Sequence, residues 1–139
     1  MDYEDEDFIT CKVVLIGESG VGKTSIIQRY INHEFNPSIS TTGGANFTTK
    51  LMKFEEEKQN LKFEIWDTAG QERFRSLAKV FYKNAAICVL VYDITRRESF
   101  LELQNFWIEE IKNNAATNTC KFLILKLIFN LYSISNSRK

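Results

Sequence analysis

A glycine-rich motif directly after a short apolar run constrains the fold more than any other feature. V-V-L-I at positions 13–16 precedes G-x-x-x-x-G-K-T at positions 17–24. Strand, glycine-rich turn and helix in this order are typical of a phosphate-binding loop, whose N–H groups turn inward beside a helix N-terminus. The side chain of Lys23 can reach the β- and γ-phosphates, and the hydroxyl of Thr24 can ligate Mg²⁺. The motif therefore predicts a nucleotide site formed by Ser19, Gly20, Val21, Gly22, Lys23, Thr24 and Ser25.

A second motif places a carboxylate at the end of another predicted strand. An alternating segment at positions 61–66 is followed by D-T-A-G-Q at positions 67–71. Asp67 is a candidate oxygen ligand, direct or through water, for the Mg²⁺ that Thr24 would hold. Gly70 has no Cβ, so its N–H can approach a γ-phosphate closely. The side-chain amide of Gln71 is both donor and acceptor, and we predict that it orients the attacking water.

These motifs resemble the Ras-superfamily small GTPases, and within them the Rab branch. Positions 66–74 read W-D-T-A-G-Q-E-R-F and positions 91–95 read V-Y-D-I-T, both as in Rabs, and the similarity covers about residues 11–115. The resemblance implies that Thr42 binds Mg²⁺ and the γ-phosphate, and that Phe35 packs against the guanine. Gly43 departs from the Rab pattern, which has a β-branched or bulky residue at this position. The adjacent pair Gly43 and Gly44 raises the entropic cost of ordering this segment, where Thr41 is an alternative to Thr42.

Length and composition fit one globular domain. The 139 residues are 44% apolar and carry no formal net charge, which gives no indication of a nucleic-acid partner. Three separated cysteines indicate buried thiols in a reducing compartment. The single histidine, His33, argues against a histidine-based metal cluster or a Ser-His triad. No signal peptide or long apolar run is visible, so the chain is predicted to be cytoplasmic.

Alternating strands and helices predict a doubly wound, mostly parallel α/β sheet of the P-loop NTPase type, with helices on both faces. Strands are expected near residues 12–16, 47–54, 61–66 and 87–91, and helices near 22–31 and between 70 and 84. Phe100, Leu103, Trp107 and Ile111 recur at helical spacing and predict a core-facing stripe. Residues 1–9 are expected to form an acidic flexible leader, and residues 10–125 a partial small-GTPase domain.

The segment at positions 126–139 is predicted to be an atypical tail. In the family, the strand expected near residues 122–125 leads into an Asn-Lys-x-Asp loop that reads guanine, and the 139 residues contain neither this motif nor the later Ser-Ala-Lys loop. We expect from this an incomplete C-terminal part, produced by a truncated or mis-spliced reading frame, and weak selection of guanine. The alternative is one long strand across this segment. Without a C-terminal cysteine for prenylation, membrane association is in doubt.

The resemblance implies a molecular switch in vesicle trafficking that binds GTP or GDP with Mg²⁺ and hydrolyses GTP. Effectors, exchange factors and GTPase-activating proteins are the implied partners, and a full-length prenylated form would act on the cytoplasmic face of endomembranes. The arginine that accelerates hydrolysis is expected from a partner, with Arg73, Arg96 and Arg97 serving structure or surface. The alternative is a non-hydrolysing binding module or an inactive fragment with weak, unselective nucleotide binding.

Overall fold

Strands and helices alternate along the chain, as the sequence predicts. The computed structural model describes residues 7–40, 42–43, 45–70, 75–114 and 121–127. The strands are β1 (Phe8–Ile16), β2 (Ala45–Phe54), β3 (Gln59–Thr68), β4 (Ile87–Asp93) and β5 (Lys121–Leu127). The helical elements are α1 (Lys23–Asn32), α2 (Arg75–Tyr82), α3 (Arg97–Glu102), a π-helical turn (Leu103–Trp107) and α4 (Ile108–Asn114).

The five strands form one sheet in the order β2-β3-β1-β4-β5. The pairs β3–β1, β1–β4 and β4–β5 are parallel, and only the hairpin pair β2–β3 is antiparallel. Because β1 pairs with β3 on one side and with β4 on the other, the loops after these three strands emerge at the same edge of the sheet. The phosphate-loop motif and residues 67–70 of the D-T-A-G-Q motif are therefore brought together at the carboxyl ends of neighbouring strands.

Both faces of the sheet are covered by helices. On one face, buried side chains of β1, β3 and β4 pack against Ile26, Ile27 and Ile31 of α1. On the other face, β1 and β4 pack against Tyr82 at the end of α2 and against Trp107 of the π-helical turn. Apolar surface is thus removed from water on both sides of the parallel strands, as such sheets require. The predicted doubly wound α/β fold is confirmed.

The strands extend beyond their predicted limits wherever they find a partner. The flexible leader predicted for residues 1–9 is too long at its C-terminal end. Phe8 and Ile9 belong to β1, where they pair with Asn60 and Leu61 of β3. The same pairing along β2 and β3 lengthens both strands. Local patterns of apolar residues underestimate the length of a strand, because the strand ends are stabilised by main-chain hydrogen bonds to a neighbouring strand.

The predicted core stripe is correct at three of its four positions. Leu103, Trp107 and Ile111 are buried, whereas Phe100 is 42% exposed and contacts the ring of Tyr92. The inward position in α3 belongs instead to Ser99, which is fully buried. An α-helix has about 3.6 residues per turn, so a strict four-residue interval would drift around it. The wider π-helical turn between α3 and α4 keeps residues 99, 103, 107 and 111 on one side.

The last described strand runs past the predicted domain limit at residue 125. In β5, Lys126 pairs with Tyr92 and Leu127 with Asp93 of β4, so two residues assigned to the atypical tail continue the sheet. Residues 128–139, the rest of that predicted tail, lie outside the described residues. Among the helices that the structure describes, none is long and apolar enough to cross a membrane.

Candidate nucleotide-binding site

The loop between β1 and α1 has a backbone conformation that depends on glycine. Gly22, at the N-cap of α1, has φ 101° and ψ 21°, a left-handed conformation in which a Cβ is unfavourable. No side chain caps the N-terminus of α1, and its first turn contains no acidic residue. The first N–H groups of the helix are therefore free to interact with an anion, which the helix dipole also favours.

Lys23 is the cation of the loop, and it is buried. Its side chain is 5% exposed, and Nζ donates to the carbonyl oxygens of Gly17 over 2.8 Å and Glu18 over 2.9 Å. Burial lowers the pKa of Lys23 to about 8, although the nearby charges of Asp67 and Glu18 act in the opposite direction. At neutral pH the ammonium group remains mostly protonated, so a poorly solvated positive charge lies where the motif predicts phosphate.

A cavity of about 350 Å³ opens beside this loop. Its volume is within the usual range for small-molecule sites, about 300–1,000 Å³. Its walls come from the phosphate loop, from the segment after α1 and from the end of β3: Ser19, Gly20, Gly22, Lys23, Thr24, Ser25, Phe35, Asn36, Pro37, Ile39, Ser40, Thr42, Thr68 and Gly70. Val21 is the exception among the predicted loop contacts, because its side chain is fully buried in the core beneath the loop.

Three oxygen-bearing side chains from separate segments meet beside the loop. The Oγ1 atom of Thr24 lies 2.8 Å from Oγ1 of Thr42 and donates to Oδ2 of Asp67 over 2.5 Å. Thr68, next to Asp67, donates to the carbonyl oxygen of Leu15 over 2.6 Å, which ties the end of β3 to the end of β1. The structure therefore brings together the three residues that the sequence assigns to the metal. Thr41, the alternative to Thr42, lies outside the described residues.

The chemistry of this cluster fits a magnesium ion. Asp67 is 3% exposed, and its Oδ1 atom is buried with no hydrogen-bond partner among the described residues. Burial raises the pKa of Asp67, while the hydrogen bond from Thr24 and the charge of Lys23 oppose this rise. Two hydroxyls and one unsatisfied carboxylate oxygen are hard ligands of the kind that Mg²⁺ uses alongside water and phosphate. No cluster of three or more His, Cys, Asp or Glu side chains suited to a metal occurs in the described part of the chain.

Gly70 lies directly against the phosphate loop. A Cβ at this position would collide with backbone atoms of Gly17, Glu18 and Ser19. Only glycine allows the end of β3 to approach the loop this closely. Gln71, the predicted water-orienting residue, lies outside the described residues. Phe35, the predicted guanine contact, lines the cavity and is 52% exposed, so part of its side chain is accessible to a ligand.

The sequence prediction missed one residue that contacts the loop. Arg96, which was assigned to structure or surface, donates to the carbonyl oxygen of Ser19 over 2.8 Å. The two residues are 77 positions apart, and no local pattern connects them. The only sequence signal is that Arg96 closely follows β4, whose carboxyl end lies beside that of β1.

Comparison with known proteins agrees with this geometry. A family model described as the Ras family matches residues 12–128. The chain belongs to the Ras family. Human Ras-related protein Rab-22A is 47% identical to this Ras-family chain over 107 residues, which are 77% of the chain and 54% of the relative.

Two further relatives extend the similarity. Human Ras-related protein Rab-31 is 42% identical over 128 residues, 92% of this chain and 62% of the relative. The GTP-binding protein ypt4 of Schizosaccharomyces pombe is 39% identical over 125 residues, 88% of this chain and 53% of the relative. The Ras-family chain therefore falls in the Rab branch, and it spans somewhat more than half the length of these curated relatives.

Proposed function

We propose that this chain binds a guanine nucleotide with Mg²⁺ and hydrolyses GTP to GDP and phosphate, as a Rab-like molecular switch. The observation that carries the proposal is the meeting of Thr24, Thr42 and Asp67 beside the buried Lys23. Hydroxyls, a carboxylate and a buried ammonium group in one place match the chemistry of a metal-bound polyphosphate. Family membership and similarity to the GTP-binding protein ypt4 support guanine as the base.

Each residue of the site has a role that follows from its chemistry. The loop N–H groups and Lys23 bind the phosphates and neutralise charge that develops during transfer. Thr24, Thr42 and Asp67 would hold Mg²⁺, which supplies further neutralisation of the phosphate oxygens when bound. The nucleophile is water, so no covalent intermediate is formed. Gly70 provides a backbone N–H near the γ-phosphate, and Gln71 orients the water.

A change at Asp67 tests the metal role. Asp67→Asn keeps the shape of the side chain and an acceptor for Thr24 but removes the negative charge. We expect Mg²⁺ to strengthen GDP binding by wild type, and this enhancement to fall by about tenfold in the variant, as a lost charged ligand predicts. Calorimetric titrations with Mg²⁺ and with EDTA measure the effect, and Asp7→Asn, on an exposed residue, is the matched control. Equal enhancement in all three proteins would contradict the metal assignment.

A change at Gln71 tests the hydrolytic step. Gln71→Leu is expected to slow GTP hydrolysis several-fold and to leave nucleotide affinity nearly unchanged, because the amide acts on water in the transition state. Single-turnover phosphate release measures the rate, with Gln59→Leu on an exposed residue at the start of β3 as the control. Unaltered release by Gln71→Leu would assign the activity to another group or to a contaminating phosphatase.

An aromatic cluster with one exposed member supports the proposal that partner proteins bind near the site. The rings of Phe47 and Trp66 are 5.0 Å apart, and Trp66 lies 5.6 Å from Phe81, so the cluster joins β2, β3 and the end of α2. Phe47 is 51% exposed. Apolar surface of this kind is typical of interaction sites. Effectors, exchange factors and GTPase-activating proteins are the partners that we propose, with vesicle trafficking as the process that the Rab resemblance supports.

A second function is favoured by one observation in the sequence. The 139 residues contain no Asn-Lys-x-Asp motif, so the guanine-reading loop of the family is missing from them. The same phosphate site without that loop would make a binding module that holds nucleotides weakly and does not hydrolyse them. The hydrolysis measurement at Gln71 separates the two functions, because the binding module would release no phosphate in either protein.

A further inference from the structure

A guanidinium group lies against the outer side of the phosphate loop. Arg96 donates from Nη2 to the carbonyl oxygen of Ser19 over 2.8 Å, and the same nitrogen lies 3.7 Å from Oε2 of Glu18. The terminal nitrogens also lie 3.8 and 4.0 Å from the position that a Cβ at Gly20 would occupy. Arg96 therefore covers the Ser19–Gly20 peptide from outside.

The turn that carries Arg96 is held firmly in place. Ser99 is fully buried, and its Oγ lies 2.7 Å from the carbonyl oxygen of Arg96 and 3.1 Å from that of Asp93. The N–H of Asp93 donates back to this Oγ over 3.0 Å, and the N–H of Arg96 donates to the Asp93 carbonyl over 3.0 Å. A buried serine with these contacts fixes the backbone between β4 and α3. The Arg96 side chain is thus attached to a fixed backbone segment next to the loop.

The contact sets the direction of a loop N–H group. In a planar trans peptide the C=O and the following N–H point to opposite sides. Because Arg96 holds the Ser19 carbonyl on the outer side, the N–H of Gly20 points to the other side. Ser19 and Gly20 line the cavity, whereas Arg96 does not. N–H groups that point into such a cavity are the groups that bind phosphate.

We propose that Arg96 is a positioning residue for phosphate binding, which holds the Ser19 carbonyl outside the loop and so directs the Gly20 N–H toward the phosphates. This inference rests on the proposed function, since it needs a nucleotide whose phosphates occupy the cavity. Without Arg96 the peptide is free to rotate, and rotation would turn a carbonyl oxygen toward the phosphates. The hydrogen bond from Arg96 to Ser19, and not the partly exposed ion pair with Glu18, is the contact that matters.

The test compares affinities for Mg-GDP by isothermal titration calorimetry. Arg96→Ala is expected to weaken binding by about three- to tenfold. This is less than the full loss of a charged hydrogen bond to phosphate, because Arg96 acts through the loop peptide and does not itself contact the nucleotide. Arg97→Ala is the matched control, because Arg97 is the adjacent exposed residue and its loss changes the net charge equally. Arg96→Lys retains a charged donor but not the planar fork, and should recover part of the lost affinity. If Arg96→Ala does not fold, the affinity of Arg96→Lys is compared with those of wild type and Arg97→Ala instead.

A spectroscopic readout separates positioning from a general loss of structure. In wild type, Mg-GDP should shift the amide proton resonances of Gly20 and Ser25. In the Arg96 variants the Gly20 shift should shrink while the Ser25 shift, at the start of α1, is retained. Equal affinities of Arg96→Ala and Arg97→Ala with an unchanged Gly20 shift would overturn the inference. If Lys23→Ala still weakens binding, the proposed function stands; if wild type binds no Mg-GDP, both fail.

Discussion

We expect the unaltered 139-residue protein to bind Mg-GTP weakly and to discriminate poorly against Mg-ATP. Among the described residues that line the cavity there is no carboxylate, and Phe35 is the only aromatic side chain. An aromatic ring stacks on any base, since every base has a π-face. Discrimination between guanine and adenine needs polar groups that form hydrogen bonds with the edge of the base. The absence of a carboxylate that pairs with the guanine N–H groups costs about two to four powers of ten in affinity.

Calorimetric titration with Mg-GTP and Mg-ATP measures this selectivity. Phe35→Ala is the informative variant, because loss of a stacking contact should weaken both nucleotides by a similar factor. Replacing the residues after Leu125 with a family-like sequence that contains the Asn-Lys-x-Asp motif is expected to raise both affinity and guanine preference. A nanomolar, GTP-selective complex of the 139-residue chain would contradict this expectation.

The phosphate loop could be predicted because its chemistry is local. Glycine spacing, Lys23 and Thr24 lie within one short segment, and the left-handed Gly22 follows from the same motif. The meeting of Thr24 with Thr42 and Asp67 spans 18 and 43 residues. Strand order explains why Asp67 lies beside the phosphate loop, because β1 and β3 end at the same edge of the sheet. The role of Thr42 could be assigned only through the family resemblance.

The features that the sequence did not predict depend on long-range contacts or on backbone irregularity. The role of Arg96 arises from a contact across 77 residues that no periodic pattern encodes. Phe100 was expected in the core because the π-helical turn, which shifts the inward position to Ser99, has no clear sequence signature. The early start of β1 reflects pairing with β3, which is a property of the assembled sheet.

Lys23→Ala is expected to lower affinity for Mg-GDP at least about tenfold, because a charged hydrogen bond is worth about 1.5–3 kcal/mol. In the free protein Lys23 is a buried cation held by two carbonyl oxygens. Its removal relieves a desolvation cost and should leave the fold intact, with a melting temperature near that of wild type. Lys23→Met, which fills more of the same space without a charge, should weaken binding equally.

The most direct test of a phosphate site at this loop is one calorimetric comparison with Mg-GDP. Wild type and Lys112→Ala, which changes an exposed lysine of α4, are predicted to bind one nucleotide per chain with the same affinity. Lys23→Ala is predicted to bind at least about tenfold more weakly. Equal affinity of wild type and Lys23→Ala, or no binding by wild type, would contradict the assignment.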